Sequence, residues 1–250
     1  MSRTAYLDCF SGISGDMLLG AVIDAGIPVE DLAAELKRLP LDGYELTAQR
    51  VKRAGIAATH ATVAVHGDPA PRTLADVVQI VEASTLPAGD REQGAAVFQR
   101  LAEAEAAVHG ETVEAVHLHD VGAVDAIVDV MGAVAGLRML GAGRLYCSAL
   151  PLGEGEVTGP HGTLPVPAPA TLELVRRAKT PVRAAAATGE LVTPTGAAIV
   201  TTLAAFGRPE MTVEGVGYGA GSRDPEGRPN VLRLWLGEAA DAPARPMLLI

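Results

Sequence analysis

The stretch "VHLHDVGAVDAIVDV", residues 116–130, holds two imidazoles and three carboxylates. His117 and His119 stand two apart. In an extended segment that spacing turns both rings to one face and Leu118 to the other. On a helix the rings would diverge by roughly 200° and could not share a ligand. With Asp120 they form a set suited to Zn, Ni or Fe. The same residues also fit a strand end with two solvated histidines, Asp120 being the N-cap of the next helix. Downstream, Gly122, Asp125, Asp129, Gly132 and Gly136 recur at steps of 3, 4, 3 and 4, one stripe of a helix whose other faces carry Val, Ile, Met, Ala or Leu. Such a stripe admits a second backbone, with the aspartates paired to Lys or Arg, or else a metal ion or a cationic ring. Two buried carboxylates one turn apart need something positive between them. Asp125, one turn from the histidines, is the candidate catalytic carboxylate.

A second cluster lies in "YLDCFSGISGDMLLGA", residues 6–21. Asp8 falls at the carboxyl end of a strand, where ligands collect in open α/β sheets, and joins the metal candidates. Ser11, Gly12, Ser14 and Gly15 make a tight turn. The backbone N–H groups from Ser14 to Met17 then open at a helix start, where an anion such as phosphate binds. Asp16 either caps those groups, and so repels an anion, or acts as a second catalytic carboxylate. The turn lacks the "GK[ST]" of a Walker loop and is not a "GxGxxG". Cys9 is a soft metal ligand or a small apolar filler. In "GELVTPTG", Glu190, Thr193, Thr195 and Gly196 surround another helix start, an anion pocket or plain capping. His161 sits in a glycine-bounded loop able to close over a site, or simply solvated.

These clusters need a scaffold. "TAYLDCF" reads as a strand, and a helix follows from about residue 16 to 25 before Gly26 and Pro28 stop it. "VEDLAAELKRL" is a second helix. "YELTAQRVKRAG" and "IAATHATVAVHG" alternate and suit antiparallel strands joined at Gly55. Thr73 and Asp76 form a capping box before "LADVVQIVEAS". Helices are predicted over about 91–108 and from "HLHD" to about Leu140, then a buried strand "RLYCSALPL", a glycine-rich loop over 153–162 and a helix in "TLELVRRAK". Thr193 caps a further helix with Pro194 at its first position, and "MTVEGVGYG" and "NVLRLWLG" are the last strands. The fold class is α/β or α+β: a layered sheet with helices packed on it and one antiparallel hairpin. Residues 1–237 form one domain, and 238–250 read as a linker and the start of a C-terminal region.

The composition narrows the function. A formal net charge of −10 argues against non-specific nucleic-acid binding. An anionic substrate would need local positive potential from helix starts or clustered Arg. There is no signal-peptide-like apolar run and none near the ~18 residues of a membrane span. Cys9 and Cys147 lie far apart and suggest no disulfide framework. A cytoplasmic location follows. Aromatics are 3% of the chain, so the core must be Val, Leu, Ile and Ala, with close packing through small residues.

Taken together, "YLDCFSGISGDMLLGA", "HLHDVGAVDAIVDVMGA", "LPLGEGEVTGPHGTLPVPAPATLELV", "GELVTPTGAAI" and "GVGYGAG…RPNVLR" resemble the N-terminal part of LarC-type nickel insertion proteins, over residues 5–235. The resemblance implies a nickel chelatase of the lyase class. It would insert Ni2+ into pyridinium-3,5-bisthiocarboxylic acid mononucleotide to form the nickel-pincer nucleotide cofactor of lactate racemase. CTP, with Mg2+ or Mn2+, would be hydrolysed through a C-terminal region or separate chain, and the lactate racemase apoenzyme is the downstream partner. Carried over by motif position, His117, His119 and Asp120 handle metal, Asp8, Asp16 and Asp125 line the site, and His161 and Glu190 neighbour it. Family members commonly carry Glu at the place of Asp120, and a His-rich loop where this chain has only "HGDPAPR". Two other readings stand beside this one: a Mg- or Mn-dependent phosphohydrolase using the Asp/His cluster, and a non-catalytic scaffold subunit. A homo-oligomer is compatible with the small-residue helices. All readings of the site require the two strand-to-helix junctions to converge on one cleft.

Overall fold

The computed structural model describes residues 3–67, 72–118, 122–159 and 162–239. The chain opens with strand β1 (Arg3–Asp8), helix α1 (Gly15–Asp24) and helix α2 (Val29–Leu36), then the hairpin β2 (Tyr44–Arg53) and β3 (Ile56–Val65). A short β4 (Arg72–Thr73) leads into α3 (Leu74–Glu82) and the long α4 (Ala88–His109). Next come β5 (His117–Leu118), α5 (Val124–Met139), β6 (Ala142–Cys147) and β7 (Leu150–Glu154). The hairpin β8 (Glu156–Gly159) and β9 (Gly162–Pro165) precedes α6 (Pro169–Ala178), β10 (Val182–Thr188) and α7 (Pro194–Leu203). The chain ends with β11 (Ala205–Phe206), β12 (Met211–Ala220) and β13 (Val231–Ala239).

Seven strands make one mixed sheet in the order β11-β6-β1-β13-β12-β3-β2. The mixed α/β class is thus as expected, with β2 and β3 antiparallel from Tyr44↔Val65 to Arg53↔Ile56. β1 lies between parallel β6 and antiparallel β13. That places Asp8 directly across from Arg233.

Helix α1 packs against the sheet at β12 and β3, and α5 covers its other side. The approach to the sheet depends on missing side chains. A Cβ on Gly219 would overlap the Met17 carbonyl, one on Gly217 the Ala21 carbonyl, and one on Gly20 the Thr59 carbonyl. At its last turn the Asp24 carboxylate accepts from Thr59 Oγ1 and Tyr218 N, each at 2.8 Å, and pairs with Arg50. On the other side, Gly132 and Gly136 of α5 receive Leu19 and Val22 of α1. Two glycines of the predicted stripe, Gly132 and Gly136, are therefore a helix contact, whereas Gly122 packs on Leu118 and the Arg72 carbonyl. α5 is buried nearly all round, as its sequence demanded, with Ile127, Val128, Val130 and Met131 fully enclosed.

Several local expectations are met. The Thr73–Asp76 capping box forms, and Thr193 accepts from Gly196 N at 3.2 Å with Pro194 at the first helical position. Gly110, at φ 69°, ends α4 in the left-handed conformation. Others need correction. "RLYCSALPL" is two strands in different sheets: β6 belongs to the large sheet, whereas β7 pairs with β10, a strand that the sequence pattern did not signal. The loop predicted over 153–162 contains the β8–β9 hairpin instead. The residue capping α5 is Ala123; Asp120, expected there, lies outside the described residues, as do His119 and His161. β13 runs to Ala239, two residues past the strand expected in "NVLRLWLG", and residues 240–250 lie outside the described residues.

Replacing Gly219 by Ala sets a methyl group against backbone that cannot rotate away. Gly219→Ala is expected to lower stability by about 2–3 kcal/mol, read as a lower urea midpoint at unchanged slope.

Candidate functional site

Helices α1 and α7 begin side by side. Ile13 N donates to Leu191 O at 2.9 Å and Thr193 N to Ile13 O at 3.1 Å, a parallel bridge between the two entry segments. Gly12, at φ 115°, lets the first turn lie flat on the Leu191 carbonyl, and Gly196 packs on Ile13 O. Both starts, together with that of α5, open on one cavity of about 630 Å³. That is within the range of sites for small organic ligands.

Asp16, Asp125 and Asp129 line this cavity, with Ser14, Gly15, Glu190, Thr193 and Thr195. The acids come from two helices because Gly15 lets α1 touch α5: a Cβ there would collide with the Asp129 carboxylate. Asp16 is held by its own helix start, accepting from Met17 N at 2.8 Å and from the Ser14 hydroxyl. Among the described residues Asp129 has no such donors. Burial, then the neighbouring Asp16 and Asp125 charges, push its carboxyl well above the usual range. Burial also raises Glu190, with Arg223 opposing.

The remaining site candidates fall elsewhere. Asp8 is taken by Arg233, whose Nε lies 3.1 Å from Asp8 Oδ2, and is not among the lining residues. His117 is exposed on β5, paired with Thr73 of β4, and does not line the cavity. Ser11 is buried behind the turn, and Gly12 and Gly196 serve the close approach of the two entry segments rather than the cavity surface. Among the described residues, no three His, Cys, Asp or Glu side chains stand close enough to hold a metal ion. Cys9 and Cys147, distant in sequence, meet in the core with sulfurs 3.5 Å apart because β1 and β6 are neighbours.

The cavity also holds residues the sequence reading passed over: His60 on β3, Glu105 and His109 at the end of α4, and Arg223 and Asn230 between β12 and β13. His60 Nδ1 lies 3.1 Å from Ala220 O, and His109 Nε2 3.5 Å from Glu105 Oε2. The Glu105–His109 spacing of four residues at a helix end was the one signal available for them.

An α/β scaffold that gathers carboxylates from two helix starts around a nucleotide-sized cavity defines a small-molecule site with an acidic wall. The comparisons with known proteins narrow this further: the family model for nickel insertion proteins matches residues 5–250, and the chain belongs to that family. Relatives from Thermomicrobium roseum and Roseiflexus castenholzii, both named for nickel insertion, are 51% identical over 244 residues and 49% over 238, covering 97% and 95% of this chain. A third, from Desulfitobacterium hafniense, is 50% identical over 241 residues, 96% of this chain, and is named pyridinium-3,5-bisthiocarboxylic acid mononucleotide nickel insertion protein. The chain spans about 60% of the length of these relatives. No solved structure matches it. Among the described residues no helix is long and apolar enough to cross a membrane.

A carboxyl that holds its proton when folded and ionises when unfolded makes the folded state the stronger proton binder. Stability of the metal-free protein then falls as pH rises from the ordinary carboxylate range toward the raised value. Asp129→Asn removes that loss. Its thermal midpoint is expected to exceed the parent's near neutral pH and to converge with it near about pH 4.

Proposed function

We propose that this chain holds pyridinium-3,5-bisthiocarboxylic acid mononucleotide in the cavity and brings nickel to its two thiocarboxylates, forming the nickel-pincer nucleotide of lactate racemase. The observation that carries this reading is the acidic wall of Asp16, Asp125 and Asp129 on the main cavity of a nickel-insertion family member. Those carboxylates do not make a ready chelate. The substrate's sulfurs therefore supply the strong donors, and the wall supplies negative potential that draws the cation in and neutralises part of its charge. Asp16, held by Met17 N and the Ser14 hydroxyl, contributes its carboxylate to the wall. Asp125, exposed at the start of α5 and on the same cavity, is the carboxylate assigned to take the proton lost as the pyridinium carbon is metallated.

His117, with His119 and Asp120, is assigned to nickel capture ahead of the cavity. Asp8, committed to Arg233, is left out of the set. CTP with Mg2+ or Mn2+ is assigned to the part of the relatives that this chain does not span, fused or as a separate chain, and the lyase-type turnover requires it. The reaction is placed in the cytoplasm, with the lactate racemase apoenzyme as recipient.

Equilibrium dialysis with Ni2+ tests the reading. The pair Asp125→Asn/Asp129→Asn and the pair His117→Ala/His119→Ala are each expected to weaken nickel binding by about tenfold or more. Circular dichroism of the same samples separates lost binding from lost fold. Nickel bound by both variants with parental affinity and stoichiometry overturns the assignment.

A further inference from the structure

Each of the two helix starts facing the cavity gives one N–H to a cap, that of Met17 to Asp16 and that of Gly196 to Thr193. In a chain whose formal charge is −10, a phosphate in the cavity calls for further positive groups beside them.

Three arginines gather at the rim, round the turn that follows β1. Arg183 of β10 donates to Phe10 O at 2.6 Å, and Arg228 reaches Ser11 O at 3.5 Å. Arg223 donates to the Glu190 carbonyl, next to Leu191, on which Gly12 is packed. All three therefore bracket one short piece of backbone, Phe10 to Gly12. Among the described residues none of the three has a carboxylate within ion-pair distance, although the chain has more acids than bases. Of the neighbouring acids, Asp8 is engaged with Arg233 and Asp224 with Arg53, Glu226 is exposed, and Glu190 feels the Arg223 charge without forming an ion pair with it. Arg223 itself lines the cavity, so the cluster and the cavity are continuous.

Two further groups at this corner are unspent. The Ser11 hydroxyl is buried, at 1% exposure, and among the described residues has no hydrogen-bond partner. Arg228 Nε is buried and equally without one. Leaving buried donors unsatisfied is costly. Like charges set together cost more. Burial, then the Arg223 and Arg183 charges, pull the Arg228 guanidinium below its ordinary value. A tetrahedral oxyanion relieves both costs at once, since guanidinium forks match phosphate oxygens in charge and geometry.

We propose that Arg183, Arg223 and Arg228, with the Ser11 hydroxyl, form a subsite for a phosphomonoester dianion, and that it seats the 5′-phosphate of the mononucleotide whose ring enters the cavity. The second clause rests on the function proposed above; the first does not. Phosphate at the arginine rim places the pyridinium ring deeper, toward Asp129. The cation is then drawn to the acidic wall while the anion is drawn to the basic rim, and the two charges do not compete for one position.

Calorimetric titration of the 250-residue chain with nicotinic acid mononucleotide, its riboside and inorganic phosphate separates the possibilities. The mononucleotide is expected to bind more tightly than the riboside, and phosphate to compete with the former only. Arg228→Gln and Arg223→Gln should each weaken the mononucleotide by about 10- to 100-fold with riboside affinity unchanged, and Arg228→Lys should recover part of the loss. Melting curves that match the parent's exclude a folding defect. Equal binding of mononucleotide and riboside by the parent overturns the subsite, as does parental mononucleotide affinity in both Gln variants. Nickel dialysis of the same variants should be unchanged. Loss of nickel dependence on the aspartates would sink the proposed function while leaving the phosphate subsite standing, and the converse result would do the opposite.

Discussion

Everything at the site depends on how deeply α1 is wedged between the sheet and α5. Three glycines remove the side chains that would hold it off β3 and β12, and two more, on α5, accept its Leu19 and Val22. Dispersion and burial reward such contact only if it is close on both sides. Asp24 locks the far end of the helix to β2, β3 and β12. The near end has then no freedom left. Gly15 meets Asp129, and the carboxylates of two helices share a wall because the backbone allows no other spacing. The acidic wall is therefore a consequence of packing, and the free energy that sustains its repulsion comes from the core beneath it.

That repulsion is a stored electrostatic cost. At Asp129 it shows as a carboxyl whose affinity for a proton is raised well above the ordinary. A divalent cation relieves it differently, by placing positive charge among the acids. Proton and cation thus compete for the same negative potential. A site that holds nickel only through such potential releases it easily to a better donor, and sulfur ligands are better donors for nickel than carboxylates. For a protein that hands on a metal, moderate affinity is the useful property, and a closed three-ligand chelate would work against transfer.

Much of this was legible in the sequence, and the reasons for the remainder are specific. The hairpin at Gly55, the Thr73 and Thr193 caps and the all-round apolarity of α5 follow from local rules of turn, cap and period, and these agree with the fold. The stripe Gly122–Gly136 carried both of its possible meanings, and the structure uses both: glycines for a helix, aspartates for a cavity. β10 gave no signal because an alanine run has neither strand propensity nor alternation. Asp8 looked like a site residue from its place at a strand end, but its use is set by register against Arg233, which only β13 supplies. The pairing of Cys9 with Cys147 needed the order of strands in the sheet, which local pattern does not encode. His60 and Arg223 were invisible for the same reason.

The layout has a directional consequence for any ligand with opposite charges at its two ends. The basic rim is built from β10 and the β12–β13 connection, the acidic wall from α1 and α5, and the starts of α1 and α7 are capped by Asp16 and Thr193. Reversing a mononucleotide in this cavity would bring its phosphate against Asp16, Asp125 and Asp129 and leave the arginines uncompensated. The cost of like charges at such short range in a partly desolvated cavity far exceeds thermal energy. In the proposed mode, orientation follows from charge before any base- or ring-specific contact is made. In the proposed binding mode the reacting face of the ring turns to the carboxylates, groups that attract a cation and can take up a proton.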